Sequence, residues 1–258
     1  MRVAVLQLDV SAGEPVAARV DRVLDLVADT ARQADVVVLP ELWHVGAFDI
    51  PAARAHAEPV SGDLVTRLRE TARAAGSWLH AGSIAEVTDT GAYYNTSVLI
   101  GPDGSLAATY RKLHLFGFDG GEATVMTHGT DLVVAPTPLG LTGLSTCYDL
   151  RFPELYRQLT AAGATAFLVP SGWPARRIEH WRVLTRARAI EDQAFVVACN
   201  AVGTHAGVPM GGHSVVVDPQ GEVVAEAGTD QEVLLVDLDP DRVTAWRSAF
   251  PVLADRRL

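Results

Sequence analysis

Cysteine, positive charge and long apolar runs are all scarce in this chain, and each shortage excludes something. Two cysteines in 258 residues are too few for a disulfide framework. No apolar run approaches the ~20 residues of a membrane-spanning helix. Met1 leads straight into the strand-like "RVAVLQLD", with no basic region, long apolar core or small-residue cleavage site before it. A soluble, cytoplasmic protein with reduced thiols is the expectation. Lysine and arginine total 21 against 31 acids, a net charge of −10, and the acids are spread through apolar patterns. Nucleic acid and anionic membrane are therefore not expected as partners. The eight histidines are scattered without ligand spacing, and no glycine-rich phosphate loop occurs. No metal and no cofactor are implied. Linkers, low-complexity stretches and internal sequence repeats are also missing, so residues 1–258 read as one domain.

What is abundant is apolar sequence, 48% of the chain, enough for an extensive core. Runs of four to six apolar residues recur at "VAVLQL" (3–8), "VVVL" (36–39), "AFLV" (166–169), "FVVAC" (195–199) and "VLLVDL" (233–238). Such runs suit strands buried on both faces. Cys199 sits inside one of them and reads as a small core hydrophobe. Between runs lie helical patterns. In 15–33, Val16, Val20, Val23, Leu24, Val27 and Ala31 form one apolar stripe, and Pro15 suits a first-turn position. Further helices are expected over 62–75, 153–162, 177–193 and 240–247. The stretches "IGPDGSL" and "VDPQGEV" place Pro and Gly between extended segments and signal hairpins. The class is α/β with mixed sheets. Periodicity alone leaves open two packed sheets covered by helices or a single doubly wound sheet.

Three strand ends carry candidate chemistry. In "VVVLPELW", Glu41 follows a strand that should be buried, and a carboxylate beside a low-dielectric interior can serve as a general base. Taken alone, an acid at a strand end is more often a helix cap or a surface group. In "TYRKLHLFG", an extended run delivers Tyr110, Arg111, Lys112 and His114 into a glycine- and aromatic-rich loop. A fixed lysine there could stabilise an oxyanion, or be a solvated strand end. In "STCYDLRFPELYRQ", Cys147 falls between a strand and a helix that opens at Pro153 and ends near Gly163. Unpaired backbone N–H groups and the helix dipole at such a junction favour a thiolate; a buried structural thiol is the alternative. Asp149 and Arg151 are read as supports, paired with each other or with the backbone.

Taken together, "VVLPELW", "YRKLHLFG" and "STCYDLRFPELYR" resemble, in that order, the Glu-Lys-Cys signature of the nitrilase or carbon-nitrogen hydrolase superfamily. The resemblance runs the length of the chain, with further matches at "HWRVLTRARAIEDQAFVVACN" and "GGHSVVVDPQGEVVAEAG". It implies a four-layer α-β-β-α sandwich and pairing of subunits into a homodimer. It also implies that Cys147 attacks an amide carbonyl to form a thioester, that Glu41 moves the protons, and that Lys112 and the backbone N–H of Tyr148 hold the oxyanion. Glu122 is the candidate second glutamate and substrate positioner, although His128 stands where relatives often have proline; an exposed loop glutamate is the alternative.

The segment "VPSGWPARRIEHWRVLTRARAIEDQ" resembles the omega-amidase branch, which implies a small 2-oxo dicarboxylic acid monoamide, 2-oxoglutaramate or 2-oxosuccinamate, as substrate. Arg176 or Arg177 could clamp its carboxylate bidentately, and Trp173 could wall the pocket. A solvated helix start is the plain reading of "ARR". Other amidases or N-carbamoyl hydrolases of the superfamily are the runner-up. A nitrilase or a noncatalytic scaffold ranks below them.

Overall fold

The computed structural model describes residues 1–117 and 120–257. In chain order its first strands are β1 (Arg2–Gln7), β2 (Val36–Val38), β3 (Trp78–Val87), β4 (Tyr93–Ile100), β5 (Leu106–Arg111), β6 (Val134–Thr137) and β7 (Gly140–Leu144). The rest are β8 (Ala166–Pro170), β9 (Phe195–Cys199), the short β10 (Thr204–His205) and β11 (Val208–Pro209), β12 (Val215–Val217), β13 (Val223–Glu226) and β14 (Glu232–Asp237). The α-helices are α1 (Val16–Ala31), α2 (Ile50–Ala55), α3 (Asp63–Ala75), α4 (Pro153–Ala161), α5 (Ile178–Asp192) and α6 (Asp241–Ala249).

Two six-stranded sheets form, in the orders β14-β1-β2-β3-β4-β5 and β13-β12-β9-β8-β7-β6. Each has three parallel strands at its centre, one antiparallel strand on one edge and two on the other. The chain thus repeats a topology without repeating a sequence. Alternation across the pleat sorts the strand residues into layers. Val3, Val5, Val36 and Val38 of the first sheet meet Ala166, Leu168, Phe195, Val197 and Cys199 of the second. On the outer faces, Ala4, Leu6, Val37 and Leu39 pack under α1 and α3. Phe167, Val169, Val196 and Ala198 pack under α4 and α5. The architecture is the four-layer α-β-β-α sandwich, which settles the choice that periodicity left open.

Most elements fall where the patterns place them, and both hairpins form, β4 to β5 and β12 to β13. Pro15 lies just before the first helical residue, with its carbonyl accepting from Arg19 N at 3.0 Å. The run at 233–238 is not buried on both faces: β14 is an edge strand with Leu235 exposed on its outer side, because only one face meets the other sheet. Gly163 follows the end of α4 with φ +96°, as a helix terminator should. The helix α2 was not anticipated. It is six residues long, with Asp49 Oδ1 accepting from Ala52 N at 3.0 Å and a proline in its first turn. Among the described residues no helix is long and apolar enough to cross a membrane.

Candidate active site

The site lies where strands of both sheets end at their carboxyl termini, the usual crevice of α/β folds. Glu41 follows β2, Lys112 follows β5, Cys147 follows β7, and Gly172 and Trp173 follow β8. The Glu41 loop is held tightly. Leu42 N donates to Ser83 Oγ at 3.1 Å, and Trp43 Nε1 donates to Ala81 O at 2.9 Å. At Gly82, φ +66°, a Cβ would lie 1.9 Å from Pro40 O. Only glycine lets β3 approach the residue preceding Glu41 so closely.

Glu41 is 3% exposed and Lys112 1%. Lys112 Nζ donates to Glu41 Oε1 at 2.7 Å and also to Glu122 Oε1. Asn95 Nδ2, from β4, bridges the two carboxylates, 2.8 Å from Glu41 Oε1 and 2.9 Å from Glu122 Oε2. Gly172 N donates to Glu41 Oε2 at 2.8 Å, and a side chain at 172 would strike Ala47. Glu122 is a buried member of the cluster and no solvated loop acid; Phe116 N donates to its Oε1 at 2.7 Å. Burial opposes the Lys112 charge, but Glu122, Glu41 and Cys147 outweigh it and hold the ammonium pKa well above its ordinary value. Burial pushes the Glu122 carboxyl up, with Glu41 adding to the push and Lys112 opposing it.

Cys147 opens a short 3-10 turn, Cys147–Arg151, and carries φ +48°. A non-glycine residue in that region is strained, a feature common where a nucleophile is presented on a sharp turn. The turn is fixed by a reciprocal cap between Thr146 and Asp149. The junction does not lower the thiol pKa, contrary to the dipole argument. Burial and then the nearby Glu41 charge push it well above its ordinary value, and Lys112 only partly offsets them.

Glu41, Lys112, Glu122, Cys147 and Gly172 line one cleft. Tyr148, Trp173, Arg151 and Arg177 line it too. Trp173 is fixed by backbone N to Asn200 Oδ1 at 2.6 Å and by Nε1 to Arg177 O at 2.8 Å. Arg177 lies over the Phe116 ring at 5.2 Å. Burial, then Arg176 and Arg151, lower its pKa. Arg176 is exposed and stands outside the cleft lining. The pairing of Asp149 with Arg151 does not form. Asp149 is fully buried and bonded to backbone and to Tyr110 and His114. Arg151 instead stacks over Trp173 at 4.7 Å and faces the cleft. Sequence reasoning missed Asn95 and the cleft position of Arg151. It also passed over one signal, that Lys112 is the only lysine in the chain.

A family model for carbon-nitrogen hydrolases matches residues 2–248. The chain belongs to the carbon-nitrogen hydrolase family. This hydrolase is 44% identical to a 2-oxoglutaramate amidase of Paenarthrobacter nicotinovorans, over 99% of this chain and 89% of that protein. It is 34% identical to omega-amidase NIT2 of Mus musculus, over 99% of this chain and 95% of the relative. The crystal structure of Saccharomyces cerevisiae Nit3, of the nitrilase superfamily, superposes with a TM-score of 0.90 at 30% identity, covering 100% of this chain and 97% of the other. The protein is accordingly a hydrolase of amide carbon–nitrogen bonds.

Proposed function

We propose that this hydrolase releases ammonia from the terminal amide of a small 2-oxo dicarboxylic acid monoamide, 2-oxoglutaramate first and 2-oxosuccinamate second, through a Cys147 thioester. One observation carries the reading. The cleft that holds Cys147, Glu41 and Lys112 at its base also holds two guanidiniums, Arg151 and Arg177, neither paired with a carboxylate among the described residues. A substrate with an amide at one end and a carboxylate at the other matches that polarity. The name of the Paenarthrobacter nicotinovorans relative, a 2-oxoglutaramate amidase, supports the first of these substrates. The chain's net charge of −10 would not draw an anion in, so the local arginines supply the attraction.

In this mechanism Glu41 takes the thiol proton as sulfur attacks the amide carbon. The oxyanion forms against Lys112 Nζ and the backbone N–H of Tyr148. Glu41 passes its proton to the departing nitrogen, releasing ammonia and leaving the thioester. Glu41 then takes a proton from water, which attacks the thioester; the acid leaves and the thiol is reprotonated. Glu122 and Asn95 hold Lys112 and Glu41 in place, and Trp173 walls the substrate chain. Val183 on α5 and Phe250 beyond α6, 65% and 53% exposed, support the further proposal of a homodimer, which a solution mass would check.

The test is ammonia release from 2-oxoglutaramate, 2-oxosuccinamate, glutamine, asparagine, deaminated glutathione, N-carbamoyl-β-alanine and simple nitriles. The expected ranking places 2-oxoglutaramate highest in kcat/KM. A faster neutral amide, N-carbamoyl compound or nitrile would refute the substrate assignment.

A further inference from the structure

Asp149 lies two residues beyond Cys147 and takes no part in the mechanism above, yet it is fully buried and accepts from four donors. Its Oδ2 accepts from Thr146 N at 2.8 Å and from Tyr110 Oη at 2.6 Å. Its Oδ1 accepts from His114 N at 3.0 Å and lies 2.7 Å from His114 Nδ1. The donors come from two sources. Thr146 precedes Cys147 on the second sheet, whereas Tyr110 and His114 flank Lys112 at minus two and plus two on the first sheet. A second strut runs alongside, Ser97 Oγ of β4 to Thr146 Oγ1 at 2.8 Å. The His114 ring is stacked on Phe152, centroids 3.8 Å apart and planes 8° from parallel, which fixes its nitrogen on the carboxylate.

We propose that Asp149 is a positioning residue that locks the loop bearing Lys112 to the turn bearing Cys147 and Tyr148, and that His114 is its partner in that lock. The two halves of the catalytic apparatus sit on different sheets and share no covalent neighbour. One carboxylate spans them with a backbone N–H on each of its oxygens. An ionised carboxylate is acceptor-only and suits four donors. An asparagine cannot replace it. Its NH2 would face a backbone N–H whichever way it turned, because His114 N and Thr146 N occupy opposite oxygens and neither can reverse. The turn would then shift against Lys112, and misplacement of about 1 Å costs on the order of 10²-fold in rate.

The inference rests on Cys147 as the nucleophile, so the experiment carries Cys147→Ala as a control beside Asp149→Asn. Rates are taken on whichever amide the parent turns over fastest and scaled to the Cys147 titrated by iodoacetamide, so that lost folding is divided out. Asp149→Asn is expected to lower kcat per reactive thiol about 10²-fold with KM within about threefold. A second variant, His114→Phe, keeps the ring stack and both backbone bonds and removes only the imidazole donor. It should lower kcat about tenfold with KM unchanged, and it decides the matter if Asp149→Asn does not fold. A kcat per reactive thiol within about threefold of the parent in a folded variant would overturn the lock, as would a loss carried entirely by KM. If Cys147→Ala itself kept its activity, the mechanism would fail and not merely the lock.

Discussion

The two cysteines of this hydrolase look alike by burial and differ in everything else. Cys199 is 0% and Cys147 8% exposed, and burial is the first cause raising both thiol pKa values. Cys199 lies in β9, faces the opposite sheet and donates its thiol to Leu6 O at 3.2 Å. Its neighbours are valines, leucines and a phenylalanine. Cys147 sits on a strained turn beside an ammonium and two carboxylates. What separates the two is their surroundings: Cys147 lines the cleft with Glu41 and Lys112, whereas Cys199 is enclosed by apolar side chains.

The largest effect that could break this contrast is loss of the Cys147 thiol, the proposed nucleophile. Cys147→Ala should reduce ammonia release by at least about 10⁴-fold while the protein remains folded. Cys199→Ala should leave kcat within about twofold and instead cost about 1–2 kcal/mol of stability through a lost contact and a small cavity. Kinetics and urea unfolding of both variants check this, and a Cys147→Ala enzyme with half its turnover would sink it. Next in size, Lys112→Ala should lose about 10²–10³-fold in kcat, as when a single oxyanion donor is removed. Lys112→Arg should do no better, because a planar guanidinium does not fit a slot that leaves the lysine 1% exposed. At the mouth, Arg177→Ala should raise KM for 2-oxoglutaramate about tenfold with little change in kcat. A neutral amide should be unaffected. Equal losses on both substrates would detach the arginine from carboxylate binding.

How much of this was legible follows from the kind of signal each part leaves. Parallel strands buried on both faces write continuous apolar runs, so β1, β2, β8 and β9 could be read directly. β3 could not, because His80, Gly82 and Ser83 interrupt its pattern. The topological repeat of the two sheets leaves no sequence trace, since strand order is set by long-range pairing. At the site, Glu41, Lys112 and Cys147 were visible because strand-end acids, lysines and cysteines have a chemical reason to be there. Asn95 was not, because an amide in mid-strand reads as a surface residue until two carboxylates are seen to converge on it. Asp149 and Arg151 are close in sequence and opposite in charge, which suggested a pair. The short turn sends one inward to His114 and the other onto Trp173. The lone lysine among 20 arginines, by difference from the 21 basic residues, is a signal of composition: a compact three-donor cation fits between two glutamates where a fork does not.

The smallest effect tests what the two thiols share. Each has a folded pKa raised above that of an unfolded cysteine, so the sign is the same for both. Below the unfolded value of about 8.5, neither state loses a thiol proton and the stabilisation is fully present. As pH rises above that value, the unfolded chain releases protons that the native chain still holds, and unfolding becomes easier. Each cysteine should contribute a slope of up to about 1.4 kcal/mol per pH unit above pH 9. Urea unfolding between pH 8.5 and 10.5 should show that slope reduced by about one proton in Cys199→Ala, and by about one in Cys147→Ala. Their effects should add, because the two residues share no partner. A Cys147→Ala protein with the parent's alkaline slope would mean that Lys112 outweighs burial and Glu41 and keeps the thiol ionised in the native state, and the similarity between the two cysteines would end there.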